Sequence, residues 1–189
     1  FPPGSEIVIQ VTKGPIGTKG PRATASISLP GKYLVLMPGC TLRGVSRKIH
    51  DKSERQRLKK ILDRLPFPEN VGAIVRTAGA GASKRSFIRD FRALRVMWED
   101  AQSAIQEQRA PACVYQELDL VERVVRDWLT EDVDKITVDR RDRFERLRKM
   151  AGRISRRAKS KIHLYEGEKP IFTYYDVESQ VDEAFRRKV

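Results

Sequence analysis

Residues 72–79, GAIVRTAG, combine a strand and a turn within eight positions. Ile74 and Val75 are β-branched and favour a strand, and the glycine and alanine residues that follow favour a turn. This order predicts that Arg76 and Thr77 lie at the end of the strand. Arginine carries a planar fork of donors and threonine adds a hydroxyl, which together suit a terminal phosphate. The alternative is a structural arginine that pairs with a nearby carboxylate.

The charge of the chain indicates a polyanionic partner. Its 189 residues are enough for one or two compact units. Lysine and arginine number 38 against 25 acidic residues, a formal net charge of +13. Such an excess favours nucleic acid, because each cation laid against a phosphate releases condensed counterions. The hydrophobic fraction of 40% argues against disorder.

Cysteine, histidine and hydropathy exclude several classes of protein. Cys40, Cys113, His50 and His163 have no metal-ligand spacing, so the sequence predicts neither a disulfide framework nor a metal site. No apolar run approaches the roughly 20 residues that span a bilayer. The first residues do not have the pattern of a secretory signal. We therefore expect a cytoplasmic location.

The first part of the chain predicts β-structure. Residues 6–13 and 33–37 are apolar-rich, residues 22–29 alternate roughly, and the glycine-rich turn at 14–20 carries Lys19. Short strands separated by glycine, proline and a basic loop are typical of an OB-type barrel, which binds single strands.

The middle of the chain changes to a helical period. Ser53 and Gln56 have the spacing of a capping box. The helix that follows carries one apolar stripe, formed by Leu58, Ile61, Leu62 and Leu65. A second, longer helix is predicted to end near Arg109, with an apolar face formed by Phe87, Phe91, Leu94, Trp98, Ala101 and Ile105.

The last third alternates strand and helix, which predicts a parallel or mixed α/β layer. Strands are predicted at 113–116, 135–138 and 162–165, and helices at 118–129 and 174–188. The first of these helices has a predicted apolar side formed by Val121, Val124, Val125 and Trp128. Residues 140–161 contain eleven basic residues against two acidic ones. This segment is either a solvated helix face or a surface that contacts an RNA backbone.

No catalytic constellation is predicted. Metal-dependent phosphodiester cleavage needs carboxylates that converge on a cation. Asp139 at a strand end is the best single candidate, followed by Asp176 and Glu178, but Asp139 also suits a helix N-cap. A nuclease that uses Asp139 is retained as an alternative.

Several motifs together resemble the ribonuclease E/G family. They are GTKGPR (17–22), ISLPGKYLVLMP (27–38), GVSRKI (44–49), IVRTAG (74–79), SKIHLYEG (160–167) and PIF (170–172). The resemblance covers essentially the whole chain. It implies an α+β / α/β fold with three parts: the end of an S1-type OB-fold (1–29), a 5′-sensor subdomain (30–110) and a ribonuclease-H-like subdomain (111–189).

The resemblance also implies a binding site for the 5′-monophosphate of single-stranded RNA. Arg76 and Thr77 would hold the phosphate, and Gly31, Val35 and Arg47 would complete the pocket. The positions expected to face the RNA backbone are Lys19, Arg22 and Lys48.

The parent family implies a magnesium-dependent, homo-oligomeric endoribonuclease of RNA processing and decay. Its catalytic subdomain follows a stretch similar to residues 185–189, so we expect this chain to be a fragment without catalytic residues, metal or cofactor of its own. The alternative is a general RNA-binding or assembly module without selectivity for the 5′ end.

Overall fold

The computed structural model describes residues 2–129, 132–154 and 156–186. Its contacts divide the chain into two compact units, Phe1–Glu117 and Leu118–Val189. The first contains β1 (Gln10–Lys13), β2 (Arg22–Thr24), β3 (Leu29–Pro30), β4 (Leu34–Pro38), β5 (Arg43–Val45), α1 (Lys52–Leu62), β6 (Val71–Val75), a 3₁₀ turn (Thr77–Gly79) and α2 (Lys84–Glu107). The second contains α3 (Leu120–Trp128), β7 (Ile136–Val138), α4 (Arg141–Ile154), α5 (Arg156–Ser160), β8 (Ile162–Leu164), α6 (Ile171–Tyr174) and α7 (Val177–Phe185).

The first unit is built on a four-stranded sheet with the order β3-β4-β6-β5. β4 is antiparallel to β6, with Leu34 opposite Val75, and β5 is parallel to β6, with Val45 opposite Val75. Helix α1 makes the connection that a parallel pair requires. β5 and β6 end at the level where β4 begins. The turn before β4 therefore meets the segments after β5 and β6 at one edge of the sheet, namely the edge formed by these strand ends.

The hydrophobic core lies between this sheet and the two long helices. The apolar stripe of α1 is buried as predicted, at Leu58, Ile61 and Leu62, and so is Leu65, which lies three residues after the helix ends. Helix α2 buries Phe87, Phe91, Leu94 and Ala101, which confirms most of its predicted apolar face.

Gly79 lets the turn after β6 pack against α2. A Cβ at this position would come within 2.8 Å of Val75 Cγ1 and 2.9 Å of Phe87 Cζ. These distances are too short for an unrelaxed methyl group. Gly79 is therefore required by close packing.

Three local predictions for the first unit were wrong in detail. The strand predicted at residues 6–13 is confined to Gln10–Lys13. Helix α1 is capped by Asp51, because its carboxylate accepts the Glu54 N–H at 2.8 Å and the Ser53 hydroxyl donates to the same oxygen. Residues 113–116 form no strand, since no neighbouring strand pairs with them.

The mixed α+β class is confirmed. The strands in the described part of the chain form small sheets and do not close into a barrel, and β1 and β2 make a separate antiparallel pair. Among the described residues, no helix is both long enough and apolar enough to cross a membrane.

The second unit is centred on β7 and β8, which pair in parallel as predicted for an α/β layer. Its core is formed by Val125, Leu129, Leu147, Ala151, Ala158 and Ile162.

The apolar side predicted for α3 was mostly wrong. Val121, Val124 and Trp128 are exposed, and Val125 is buried. The buried side also includes Glu122, whose carboxylate accepts from Arg146 Nε of α4 at 2.6 Å. The packing of α3 on α4 thus uses an ion pair where the hydrophobic pattern suggested valine and tryptophan.

The single helix predicted at 174–188 was also wrong. α6 ends at Tyr174 and α7 begins at Val177. Asp176 between them has a φ of +54°, a left-handed conformation that interrupts a right-handed helix. The last two predicted helical positions, 187 and 188, lie outside the described residues.

Candidate functional site

The predicted phosphate-binding residues surround one edge of the four-stranded sheet. Arg76 and Thr77 follow β6, Arg47 follows the parallel strand β5, and Gly31 precedes β4. Val35 lies in β4 opposite Ile74 of β6. Residues from three separate parts of the sequence are therefore brought to one region by the sheet topology.

Arg76 is tied to the turn between β3 and β4 twice. Its backbone N–H donates to the Tyr33 carbonyl at 2.7 Å, and its Nη1 donates to the Gly31 carbonyl. The Arg76 side chain is half-buried and Thr77 is exposed. Arg76 thus has a structural contact with a carbonyl and is still partly exposed to solvent.

The same turn is held by Asp90 of α2. The Asp90 carboxylate accepts N–H bonds from Lys32 at 2.9 Å, Tyr33 at 2.8 Å and Leu34 at 2.9 Å. Burial raises the pKa of Asp90, while these three N–H groups and the nearby Arg76 act in the opposite direction. The turn is fixed through its N–H groups by a carboxylate and through its carbonyls by an arginine.

The segment that carries Arg47 and Lys48 is held by Arg55 of α1. Arg55 Nη1 donates to the carbonyls of Ser46 at 2.7 Å and Ile49 at 3.0 Å. The Ser46 N–H also donates to the Val75 carbonyl at 2.8 Å, which extends the pairing of β5 with β6. Arg47 and Lys48 themselves are exposed.

The segment after Thr77 is held by an ion pair at the start of α1. Glu54 accepts the Gly81 N–H at 2.8 Å and the Arg57 Nε–H at 2.6 Å, and Arg57 Nη1 donates to the Ala82 carbonyl at 3.1 Å. The bond from the Arg57 guanidinium and the bond from the Gly81 N–H lower the pKa of Glu54 from 4.5 to about 2. All three segments around the candidate site are therefore fixed by charged side chains of α1 and α2.

These supporting side chains were not predicted from the sequence. Glu54, Arg55 and Arg57 lie on a helix rich in charge, where a solvated face is the usual interpretation. Asp90 offered a clearer signal, because it lies three residues after Phe87 and next to Phe91 on the apolar side of α2. A single carboxylate on a buried stripe indicates that something donates to it.

Lys19 and Arg22 lie in a different part of the first unit. Lys19 is in the loop between β1 and β2, where it forms a bridge with Ile16, and Arg22 begins β2. Both are exposed. They lie on the hairpin formed by β1, its loop and β2, whereas Lys48 lies beside Arg47 after β5 of the four-stranded sheet.

The basic segment of the second unit is partly engaged in ion pairs. Arg143 contacts Asp119 and Arg146 contacts Glu122, which links α4 to α3. Arg140 pairs with Asp142 at 3.0 Å. Arg143 and Arg146 therefore contribute to packing within the unit, whereas the Arg140–Asp142 pair is exposed.

The candidate catalytic acids do not form a recognisable centre. Asp139 lies two residues before α4 begins, and Asp176 lies between α6 and α7. Within the described ranges, no group of three or more histidine, cysteine, aspartate and glutamate side chains is placed to hold a metal ion.

The chain is similar to proteins of one known family. The sequence matches the ribonuclease E/G family over residues 28–189. Ribonuclease E of Haemophilus influenzae is 39% identical over 98% of this chain and 20% of its own length. Ribonuclease G of Escherichia coli K12 is 38% identical over 98% of this chain and 38% of its own length. The chain thus spans between about a fifth and two fifths of these relatives, and it belongs to the ribonuclease E/G family.

Proposed function

We propose that this chain binds the 5′-monophosphate end of single-stranded RNA at the sheet edge formed by Arg76, Thr77, Arg47 and Gly31. The observation that supports this most directly is that Arg76 and Arg47 follow neighbouring parallel strands at the same end of the sheet. Arg76 comes directly after β6, and Arg47 comes two residues after the end of β5. A terminal monophosphate carries close to two negative charges and three acceptor oxygens. The Arg76 guanidinium and the Thr77 hydroxyl bind those oxygens, and Val35 contributes to the wall.

The selectivity for the terminal monophosphate follows from its charge and its number of acceptor oxygens. A phosphate inside the RNA chain is a diester with one negative charge, whereas the terminal group offers more charge and one more acceptor oxygen. A 5′-triphosphate carries further charge and needs more space than one arginine and one threonine provide. Lys19, Arg22 and Lys48 contact the RNA backbone without reading its end.

In the complete protein, this site guides RNA to a magnesium-dependent endoribonuclease of RNA processing and decay. On this proposal, residues 1–29 close an OB-type barrel, residues 30–110 form the 5′-sensor and residues 111–189 form a ribonuclease-H-like layer. The protein is homo-oligomeric and cytoplasmic. Family membership supports this part of the proposal.

The test compares short single-stranded RNAs that differ only in the 5′ group. We expect the parent chain to prefer the monophosphate over the hydroxyl by about tenfold or more, the value of one hydrogen bond to a charged group. Arg76→Ala should remove this preference. The matched control is Arg64→Ala. Arg64 is an exposed arginine in the segment between the end of α1 and the start of β6. Equal affinity of the parent for both ends would contradict the proposal.

One observation favours a second function, a general RNA-binding module without end selectivity. Arg76 already binds the Gly31 carbonyl, which is the contact expected of a purely structural arginine. This alternative predicts binding that weakens with salt equally for both RNA ends.

A further inference from the structure

The turn between β3 and β4 is the part of the candidate site with the most complete hydrogen bonding. Gly31 N–H donates to the Leu34 carbonyl at 2.8 Å and closes the turn. Three consecutive N–H groups, those of Lys32, Tyr33 and Leu34, all donate to the Asp90 carboxylate. The Asp90 side chain of α2 thus accepts hydrogen bonds from the three N–H groups that follow Gly31 in the turn.

The carbonyl groups of the same turn face a different partner. The Gly31 and Tyr33 carbonyls accept from the Nη1 and the backbone N–H of Arg76. Asp90 and Arg76 are consequently connected through one short piece of backbone, and their opposite charges also interact. A change in the position of the turn must change the position of the guanidinium.

We propose that Asp90 is a positioning residue for the phosphate site: it holds the turn whose Gly31 carbonyl orients the Arg76 guanidinium toward the RNA end. This inference rests on the proposed function and adds a residue on which its selectivity depends. A guanidinium reads a phosphate by a fixed fork geometry, so the orientation of the fork sets how well it distinguishes a terminal phosphate. Asp90 itself does not contact the RNA.

The direction in which Asp90→Asn changes phosphate binding distinguishes a positioning role of Asp90 from a purely electrostatic one. A carboxylate near Arg76 reduces the local positive potential, so removal of its charge would by itself strengthen the binding of an anion. Loss of positioning has the opposite result, because asparagine has one carboxamide oxygen and cannot accept from all three N–H groups. The positioning role therefore predicts that Asp90→Asn weakens the preference for the monophosphate.

The experiment measures the affinities of the parent chain, Asp90→Asn and Asp100→Asn for 5′-monophosphate and 5′-hydroxyl RNA of identical sequence. Asp100 is the matched control, because it is an exposed aspartate on the same helix. We expect Asp90→Asn to lower the ratio of the two affinities by about fivefold to tenfold, with binding of the hydroxyl RNA within twofold of the parent. Asp100→Asn should leave the ratio unchanged.

The outcomes distinguish this inference from the proposed function. If the parent shows no preference, the proposed function fails. If the parent prefers the monophosphate and Asp90→Asn keeps or increases that preference, the positioning role is overturned while the proposed function stands. Circular dichroism of each variant reports whether it is folded.

A second measurement uses the parent chain and covers the case in which Asp90→Asn does not fold. If phosphate binding and the Asp90 bonds are coupled, the coupling is reciprocal. Amide hydrogen exchange at Lys32, Tyr33 and Leu34 should then be slower with the monophosphate RNA than with the hydroxyl RNA at equal saturation. Equal exchange rates with the two RNAs would overturn the proposal.

Discussion

The carboxylate of Asp90 lies so close to Gly31 that a Cβ at residue 31 would come within 2.7 Å of both of its oxygens. Gly31→Ala must therefore displace either the carboxylate or the turn that it holds. We expect the free energy of unfolding to fall by about 1–3 kcal/mol, the usual cost of overpacking. Denaturant unfolding of the parent and the variant measures this difference.

The control for this substitution is Gly44→Ala in β5 of the same sheet. An added Cβ at Gly44 would meet no atom within 4 Å, so this change should have little effect on stability. Equal stability of the two variants would show that the contact between Gly31 and Asp90 relaxes without cost.

Thr77→Val tests the hydroxyl that we assign to the phosphate. The substitution keeps the shape of an exposed side chain, so the free energy of unfolding should stay within about 0.5 kcal/mol of the parent. The preference for a 5′-monophosphate over a 5′-hydroxyl should fall by about fivefold or more, because one bond to a charged acceptor is lost. Thr41→Val, at an exposed threonine before β5, should not alter the preference. A preference that survives Thr77→Val would remove threonine from the site.

The lowered pKa of Glu54 predicts how the stability of the first unit changes with pH. Its pKa is lowered from 4.5 to about 2 in the folded chain, so its contribution to stability is present above about pH 4.5 and is lost as the pH falls toward 2. Glu54→Gln should therefore lose less stability than the parent between pH 4.5 and 2. Urea unfolding at a series of pH values measures both curves. Glu107→Gln, at the exposed end of α2, should follow the parent, and parallel curves for Glu54→Gln would disprove the assignment.

Lys19 and Arg22 are expected to act on affinity and not on end recognition. If each lies against one phosphate, each alanine substitution should reduce the slope of log affinity against log salt by about 0.7. The ratio of the affinities for the two 5′ ends should stay that of the parent. A salt titration with both RNAs checks the two statements together. An unchanged slope would place the RNA elsewhere on the chain.

The helical core could be predicted from the sequence because its signal is local. Leu58, Ile61 and Leu62 are separated by three and four positions, and that spacing alone places them on one side of a helix. The same reasoning was less successful for α3, where Val124 is exposed and Glu122 is buried. An apolar stripe indicates which side of a helix can be buried, but the neighbouring element determines which residues are.

The supporting part of the candidate site could not be derived in this way. Asp90 lies 56 to 58 residues from the three backbone N–H groups that it accepts from. No periodicity connects positions so far apart, and only the sheet order brings them together. Arg76 and Thr77 were identified as a pair because they adjoin a strand, but the Gly31 carbonyl that binds Arg76 is 45 positions away.

The parallel pairing of β5 with β6 has a consequence for how this region folds. Strand β6 reaches β5 only after α1 has crossed between them, and β4 pairs with β6 across more than thirty intervening residues. Contacts of such long sequence separation form slowly, because loop closure precedes any gain from pairing. We therefore expect the candidate site to assemble late, after α1, so that a newly made chain acquires its helix before Arg47 and Arg76 come together.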